Sequence, residues 1–143
     1  DSAAWYSKGL VQVELKNYGN ALDSFDKSTK IDPQNVASWI NRGNVLLKLN
    51  RSEDALASYE KALALNPSSS AAWYGKAVTL NQTGKYEDAL TSYNKAIELN
   101  PSNAAAWYGK GLVLKFLNST IESDKAISKA EELGYNSTKL EGL

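Results

Sequence analysis

Residues 71–103 read AAWYGKAVTLNQTGKYEDALTSYNKAIELNPSN, and near-copies of this unit recur along the chain with a constant period of 34 residues. The four tryptophans keep that interval, at Trp5, Trp39, Trp73 and Trp107. The three prolines keep it as well, at Pro33, Pro67 and Pro101. A fixed period over the whole chain indicates a tandem array in which each copy is one supersecondary unit.

Each unit begins with a predicted helix. Trp73, Ala77 and Leu80 recur at steps of three and four residues, which places them on one face of a helix. Gly84 supplies the left-handed residue that commonly follows a helix C-terminus. Asn50 and Asn118 hold the equivalent places, and asparagine is the next-best residue for that conformation. Four polar residues stand where they could cap the first helix of a repeat: Asn35, Ser69 or Ser70, and Asn103.

A second helix is predicted from about residue 86 to residue 99. Its apolar stripe consists of Ala89, Leu90, Tyr93, Ala96 and Ile97. Asn100-Pro101 ends this helix, because proline disfavours the helical region for the residue before it and lacks a backbone donor. Each repeat therefore reads as a pair of helices.

Small residues lie one turn after each tryptophan, at Gly9, Gly43, Ala77 and Gly111. Glycine in a helix costs about 1 kcal/mol relative to alanine, so its recurrence indicates that close packing outweighs this cost. We expect the partner helix to approach there while the indole fills the adjacent gap. A single helix pair cannot bury both of its faces, so the repeats must stack on one another.

Composition excludes several classes of function. The chain has no Cys, His or Met, which removes thiolate nucleophiles, imidazole bases and soft metal ligands. Sixteen basic residues balance sixteen acidic ones, so no net field draws the chain to nucleic acid or to a membrane surface. We therefore expect no metal, no cofactor, no nucleic-acid or membrane partner and no enzymatic activity. The compartment stays open, with the cytoplasm slightly favoured.

The spacing W-x3-G, then A-x3-[FY]-x2-A, then P, in a 34-residue unit resembles the tetratricopeptide repeat. The resemblance covers essentially the whole chain, with repeats at about 2–35, 36–69, 70–103 and 104–137. It implies an all-α fold, a right-handed superhelical α-solenoid whose first helices line a concave groove and whose second helices cover the outside. One departure is a cation before the small residue, at Lys8, Arg42, Lys76 and Lys110, whose stem we expect to pack while its charge reaches water.

The two ends of the array differ. In the fourth repeat Asp124 and Glu131 replace apolar residues that should cover a following repeat, which is typical of a capping repeat, although simple drift would leave the same pattern. At the other end Val11 and Leu15 match interior apolar residues. The outward side of the first repeat, which includes these two residues and is called the first face below, is therefore predicted to be uncapped. Asp1 reads as already inside a helix. We expect upstream chain, or a second copy of the molecule, to cover this face.

The concave groove is the candidate binding site. The residue after each tryptophan should point into it, at Tyr6, Ile40, Tyr74 and Tyr108, and one turn further lie Leu10, Asn44, Val78 and Leu112. The remaining predicted groove residues are Asn41, Lys48, Asn81, Gln82 and Phe116. Phenols and amides suit recognition of a peptide or protein segment, but the tryptophan-tyrosine pairs could also repeat because the scaffold prefers them. The cationic clamp that some relatives use for chaperone C-termini is not evident.

The leading hypothesis is therefore a protein-interaction scaffold, and the alternative is a structural spacer or self-association module that contacts through the first face. Four N-x-[ST] sequons, at Asn50, Asn81, Asn118 and Asn136, leave glycosylation as a minor option. The acidic pairs at Glu53-Asp54 and Glu87-Asp88 open second helices, where negative charge offsets the helix dipole, and do not indicate catalysis.

Overall fold

The computed structural model describes residues 1–136, and this part of the chain is entirely helical. Residue 137, the last of the predicted fourth repeat, and the Ser-Thr of the fourth sequon lie outside the described residues. The eight helices are α1 (Ser2–Glu14), α2 (Tyr18–Ile31), α3 (Val36–Lys48), α4 (Ser52–Leu65), α5 (Ser70–Gln82), α6 (Tyr86–Leu99), α7 (Ala104–Phe116) and α8 (Thr120–Glu132). Odd-numbered helices are the first helices of the repeats and even-numbered helices are the second.

Local signals place the helix ends. The side chains of Asn35, Ser69 and Asn103 accept hydrogen bonds from the first turns of α3, α5 and α7, which settles the choice between Ser69 and Ser70. The turns within the repeats contain a left-handed residue at Gly84 and at Asn50 and Asn118, as predicted, and also at Lys16, which the sequence did not indicate.

The prediction that Asp1 lies inside a helix is wrong. Asp1 is the N-cap of α1, and its Oδ1 accepts a hydrogen bond of 2.9 Å from the backbone N–H of Ala3. An aspartate before an apolar periodic run is a favourable capping residue, and the sequence reading overlooked that role.

Tryptophan and proline share one period because a hydrogen bond joins them in the second, third and fourth repeats. The indole Nε1 of Trp39 donates to the carbonyl oxygen of Pro33 at 2.9 Å. Trp73 donates to Pro67, and Trp107 to Pro101, in each case at 2.8 Å. Each indole therefore fixes the turn that leads into its own helix.

In the second and third repeats, the cation that follows the tryptophan forms an ion pair with the preceding repeat. The Arg42 guanidinium lies over the ring of Trp39 and its Nε is 2.6 Å from Asp26 Oδ1 on α2. Lys76 lies over Trp73 in the same way, with its Nζ 3.3 Å from Glu60 Oε1 on α4. The long stems pack, as expected, and their charges meet a ring and a carboxylate at the surface.

In the first two repeats an aromatic ring of the second helix fills the space that the small residue leaves, and at Gly111 the side chain of Ile127 does so. A Cβ at Gly9 would stand 2.7 Å from Phe25, and one at Gly43 would stand 2.8 Å from Tyr59. The predicted packing role of these glycines is confirmed, but the ring involved is not the indole. A Cβ at Gly75 would also overlap Tyr59, so this fully buried ring lies between first helices of two successive repeats.

The two end faces differ in the way that the sequence suggested. Val11 and Leu15 are 55% and 74% exposed, whereas Val45 and Val113, which match Val11, are 1% and 0% exposed. On α8, Asp124 and Glu131 are exposed. A capping role for the fourth repeat stays a prediction.

Candidate functional site

The first helices of successive repeats pack against one another, α3 with α5 and α5 with α7, and form one inner surface. On this surface a cavity of about 390 Å³ opens between α3 and α5. Its lining consists of Asn44, Leu47, Lys48, Tyr59, Tyr74, Gly75, Val78 and Gln82. Five of these residues were predicted from the sequence to face the groove: Asn44, Lys48, Tyr74, Val78 and Gln82.

The other predicted residues are divided between the two ends of the inner surface. Tyr6, Leu10, Ile40 and Asn41 lie on α1 and α3, and Tyr108, Leu112 and Phe116 lie on α7. Asn81 lies on α5, where its side chain hydrogen-bonds to Tyr93. The cavity between α3 and α5 is therefore the centre of the candidate site.

Where the first repeat meets the second, predicted residues contact one another. Asn41 Nδ2 donates to the Tyr6 hydroxyl at 3.3 Å and to the carbonyl oxygen of Ala37 at 2.9 Å. The Tyr6 ring lies tilted against Phe25, with 6.0 Å between ring centroids. At this end of the groove, therefore, hydrogen bonds and ring contacts hold the polar side chains in place, and Leu10 and Ile40 are half-buried.

Two buried tyrosines of the second helices reach the groove, and the sequence analysis did not assign them to it. The Tyr59 hydroxyl donates to Asn44 Oδ1 at 2.7 Å, and Tyr59 lines the cavity. The Tyr93 ring is 6.2 Å from the ring of Tyr74. A signal was present, because Phe25 becomes tyrosine in the second and third repeats, and a buried phenol needs a hydrogen-bond partner.

Burial makes these phenols difficult to ionise. Desolvation, and then the neighbouring Tyr74 phenol, raise the pKa of Tyr59 far above its ordinary value. The same two causes raise the pKa of Tyr93, while the side-chain hydrogen bond with Asn81 acts in the opposite direction. The pKa of Tyr74 is raised by burial and by the phenol of Tyr135. At neutral pH the groove therefore presents neutral phenols.

The fold should lose stability in alkali because of these phenols. Their folded pKa values exceed the ordinary value of about 10, so above pH 10 the unfolded chain binds fewer protons and the free energy of unfolding falls as pH rises. Tyr59→Phe should reduce this slope by up to about 1.4 kcal/mol per pH unit. Urea unfolding between pH 8 and 11 measures it, and equal slopes for the variant and the wild type would contradict the assignment.

At the other end of the groove two aromatic stacks are formed. The Tyr108 ring lies on the ring of Tyr135, with 4.3 Å between centroids and 22° between planes. Phe116 stacks on Tyr86 at 4.7 Å and 2°, and is still 62% exposed. Tyr108 and Phe116 were predicted to face the groove, but neither ring partner was expected from the sequence.

Comparison of the sequence with protein-family models identifies the family of this array of helix pairs. A model described as tetratricopeptide repeat matches residues 40–104 and 82–114, and a second model of the same description matches residues 2–35. The chain belongs to the tetratricopeptide repeat family. It is accordingly an all-α, right-handed superhelical α-solenoid, as the sequence resemblance implied. None of the curated proteins compared with it matches the chain.

Solved structures of other tetratricopeptide repeat proteins share the fold. A MamA structure is 20% identical over 93% of this chain and 78% of its own, with a TM-score of 0.87. MamA 41-end from Desulfovibrio magneticus RS-1 is 24% identical over 93% of this chain and 75% of its own, with a TM-score of 0.85. YrrB, described as a TPR protein with an unusual peptide-binding site, is 24% identical over 100% of this chain and 75% of its own, with a TM-score of 0.82.

Within residues 1–136, no three His, Cys, Asp or Glu side chains are grouped so that they could hold a metal ion. In the same part of the chain, every helix is too short or too polar to cross a lipid bilayer.

Proposed function

We propose that this chain is a protein-interaction scaffold whose concave groove holds an extended segment of a partner protein, with the cavity between α3 and α5 at its centre. The observation that carries the proposal is the convergence of phenol, amide and apolar groups from two repeats on one open cavity of about 390 Å³. The peptide-binding site of YrrB, a protein of the same fold, supports a groove of this kind.

The groups in the cavity suit a peptide backbone. The Asn44 and Gln82 amides both donate and accept hydrogen bonds, and an extended segment offers unpaired N–H and C=O groups. Tyr74 and Val78 provide apolar area at the same place, and a tyrosine presents a rigid ring with a polar tip. Lys48 adds a positive charge at the edge. We expect micromolar affinity, or about −8 kcal/mol.

Selection of peptides from a random displayed library tests the proposal, with the full chain as bait. For the selected peptides we expect Val78→Asp to raise the Kd at least about tenfold, because a carboxylate would then need to be desolvated in the cavity. Ala57→Asp is the matched control, since Ala57 is exposed on α4, a second helix. Tyr74→Ala should act in the same direction as Val78→Asp.

The Kd values follow from fluorescence polarisation, and circular dichroism shows that each variant is folded. Peptides that bind Val78→Asp and Tyr74→Ala as tightly as the wild type would reject the groove as the binding site. Equal losses in Ala57→Asp and Val78→Asp would reject it as well, because the effect would not depend on the inner surface.

A second candidate function is self-association through the first face, which includes Val11 and Leu15. The observation that favours it is their exposure of 55% and 74%, where the matching Val45 is 1% exposed. In that case Val11→Asp should abolish dimers in sedimentation velocity, while Val78→Asp leaves them intact. A monomeric wild type at high concentration would exclude this function.

A further inference from the structure

We propose that the fourth-repeat end of the groove is a subsite for an aromatic side chain carried by a non-helical segment, and that Tyr135 of the chain itself is its resident occupant. A partner segment with an aromatic residue would bind here by displacing Tyr135 from Tyr108. This inference rests on the proposed function of the groove, for which it names the ligand class and a form of self-regulation.

The backbone after α8 turns in a way that the other repeats do not. The second helices α2, α4 and α6 end in residues with φ between −129° and −141°, each followed by proline. After α8, Gly134 has a φ of +93°, and the N–H of Tyr135 donates to the carbonyl oxygen of Ala130 at 2.9 Å. This glycine C-cap reverses the chain direction and carries Tyr135 back to α7.

The ring of Tyr135 lies in the groove and not on an outer face. It stacks on Tyr108, the residue after the tryptophan of α7, with 4.3 Å between centroids. The phenol of Tyr135 raises the pKa of both Tyr74 and Tyr93, and Tyr74 lines the central cavity. Tyr135 therefore adds a phenol beside Tyr108 at the fourth-repeat end of the inner surface.

The contact shows what the subsite accepts. Offset stacking of two rings is the arrangement that their quadrupoles favour, and the residue that provides the second ring lies in a non-helical segment. Tyr135 belongs to no helix, and it is only half-buried, so the contact is exchangeable without unfolding a repeat. A carboxylate at the same place would be desolvated among neutral phenols, which disfavours an acidic segment.

The test uses the chain's own segment as a probe. A synthetic peptide of residues 134–143, GYNSTKLEGL, is titrated into the wild-type chain of residues 1–143 and into the same chain with Tyr135→Ala, and binding is followed by NMR chemical shifts. We expect the peptide to bind Tyr135→Ala about five- to tenfold more tightly than the wild type, because the competing ring is absent. Peptides with Tyr135→Leu and Tyr135→Glu should bind progressively more weakly.

Tyr108→Leu separates stacking from a merely structural role of the ring. This variant keeps an apolar side chain at the subsite, so in combination with Tyr135→Ala it should remain folded but lose the preference for the tyrosine peptide over the leucine peptide. Should Tyr108→Leu unfold, the comparison of the three peptides on Tyr135→Ala alone decides the matter.

The inference is overturned if Tyr135→Ala binds the tyrosine peptide no more tightly than the wild type, or fails to bind it at millimolar concentration. It is also overturned if the three peptides bind alike. These outcomes leave the proposed function standing as long as library peptides still lose affinity on Val78→Asp. Conversely, suppose that Val78→Asp does not weaken library peptides while the chain still prefers the tyrosine peptide to the leucine peptide. That result would reject the central cavity as the binding site and not this subsite.

Discussion

Replacement of Tyr59 by alanine should lower the free energy of unfolding by about 3–5 kcal/mol, the range for deletion of a large buried ring. Tyr59 is 0% exposed and lies against Gly43 of its own repeat and Gly75 of the next. Its removal therefore leaves a cavity at the contact between repeats. The hydrogen bond from the Tyr59 hydroxyl to Asn44 is lost at the same time. Urea denaturation followed by circular dichroism measures the change.

Tyr59→Phe is the control for this substitution. It keeps the ring and removes only the hydrogen bond to Asn44, so the expected loss is about 0.5–1.5 kcal/mol. If Tyr59→Ala lost no more stability than Tyr59→Phe, the ring would not be the contact that joins the second and third repeats.

Gly75→Ala should destabilise the chain, while Gly19→Ala should stabilise it. At Gly75 the new Cβ would overlap Tyr59, whose ring cannot move because it is buried between α3 and α5, and overpacking of this kind costs about 1–3 kcal/mol. At Gly19, in α2, a Cβ would meet nothing within 4 Å, so helix propensity should add up to about 1 kcal/mol. The two variants should differ by about 1–4 kcal/mol.

Thermal and urea unfolding of the two variants measure this difference under identical conditions. Both substitutions add one methyl group to a helical glycine, and they differ chiefly in what that methyl group meets. Equal stability of Gly75→Ala and Gly19→Ala would show that α3 and α5 are not held as closely as the fold requires.

The repeat and its helices could be predicted because their signals are local. Tryptophan and proline keep the same 34-residue interval because a hydrogen bond that spans only six residues joins them, as between Trp39 and Pro33. The left-handed residues at Gly84 and Asn50 and the caps at Asn35 and Asn103 likewise act within one turn of their own helix. Contacts over so few residues can be predicted from the sequence alone.

The contacts between repeats could not be predicted in the same way. That Tyr59 of a second helix reaches the groove depends on how closely α3 and α5 approach, and Gly75 acquires its packing role only from that approach. The stacking of Tyr135 on Tyr108 depends on a chain reversal at Gly134. Both features depend on the geometry of the stack and not on periodicity, so the sequence pattern could not indicate these ring contacts.

Site-specific photo-cross-linking tests the binding role of the groove most directly. A benzophenone amino acid is placed at Gln82, which lines the central cavity, or at Ala57, exposed on the second helix α4, and each variant is irradiated with a library-selected peptide. We predict a covalent adduct from position 82 that excess unlabelled peptide suppresses, and none from position 57. Adducts from position 57 alone, or equally from both positions, would contradict the assignment of the binding site to the concave groove.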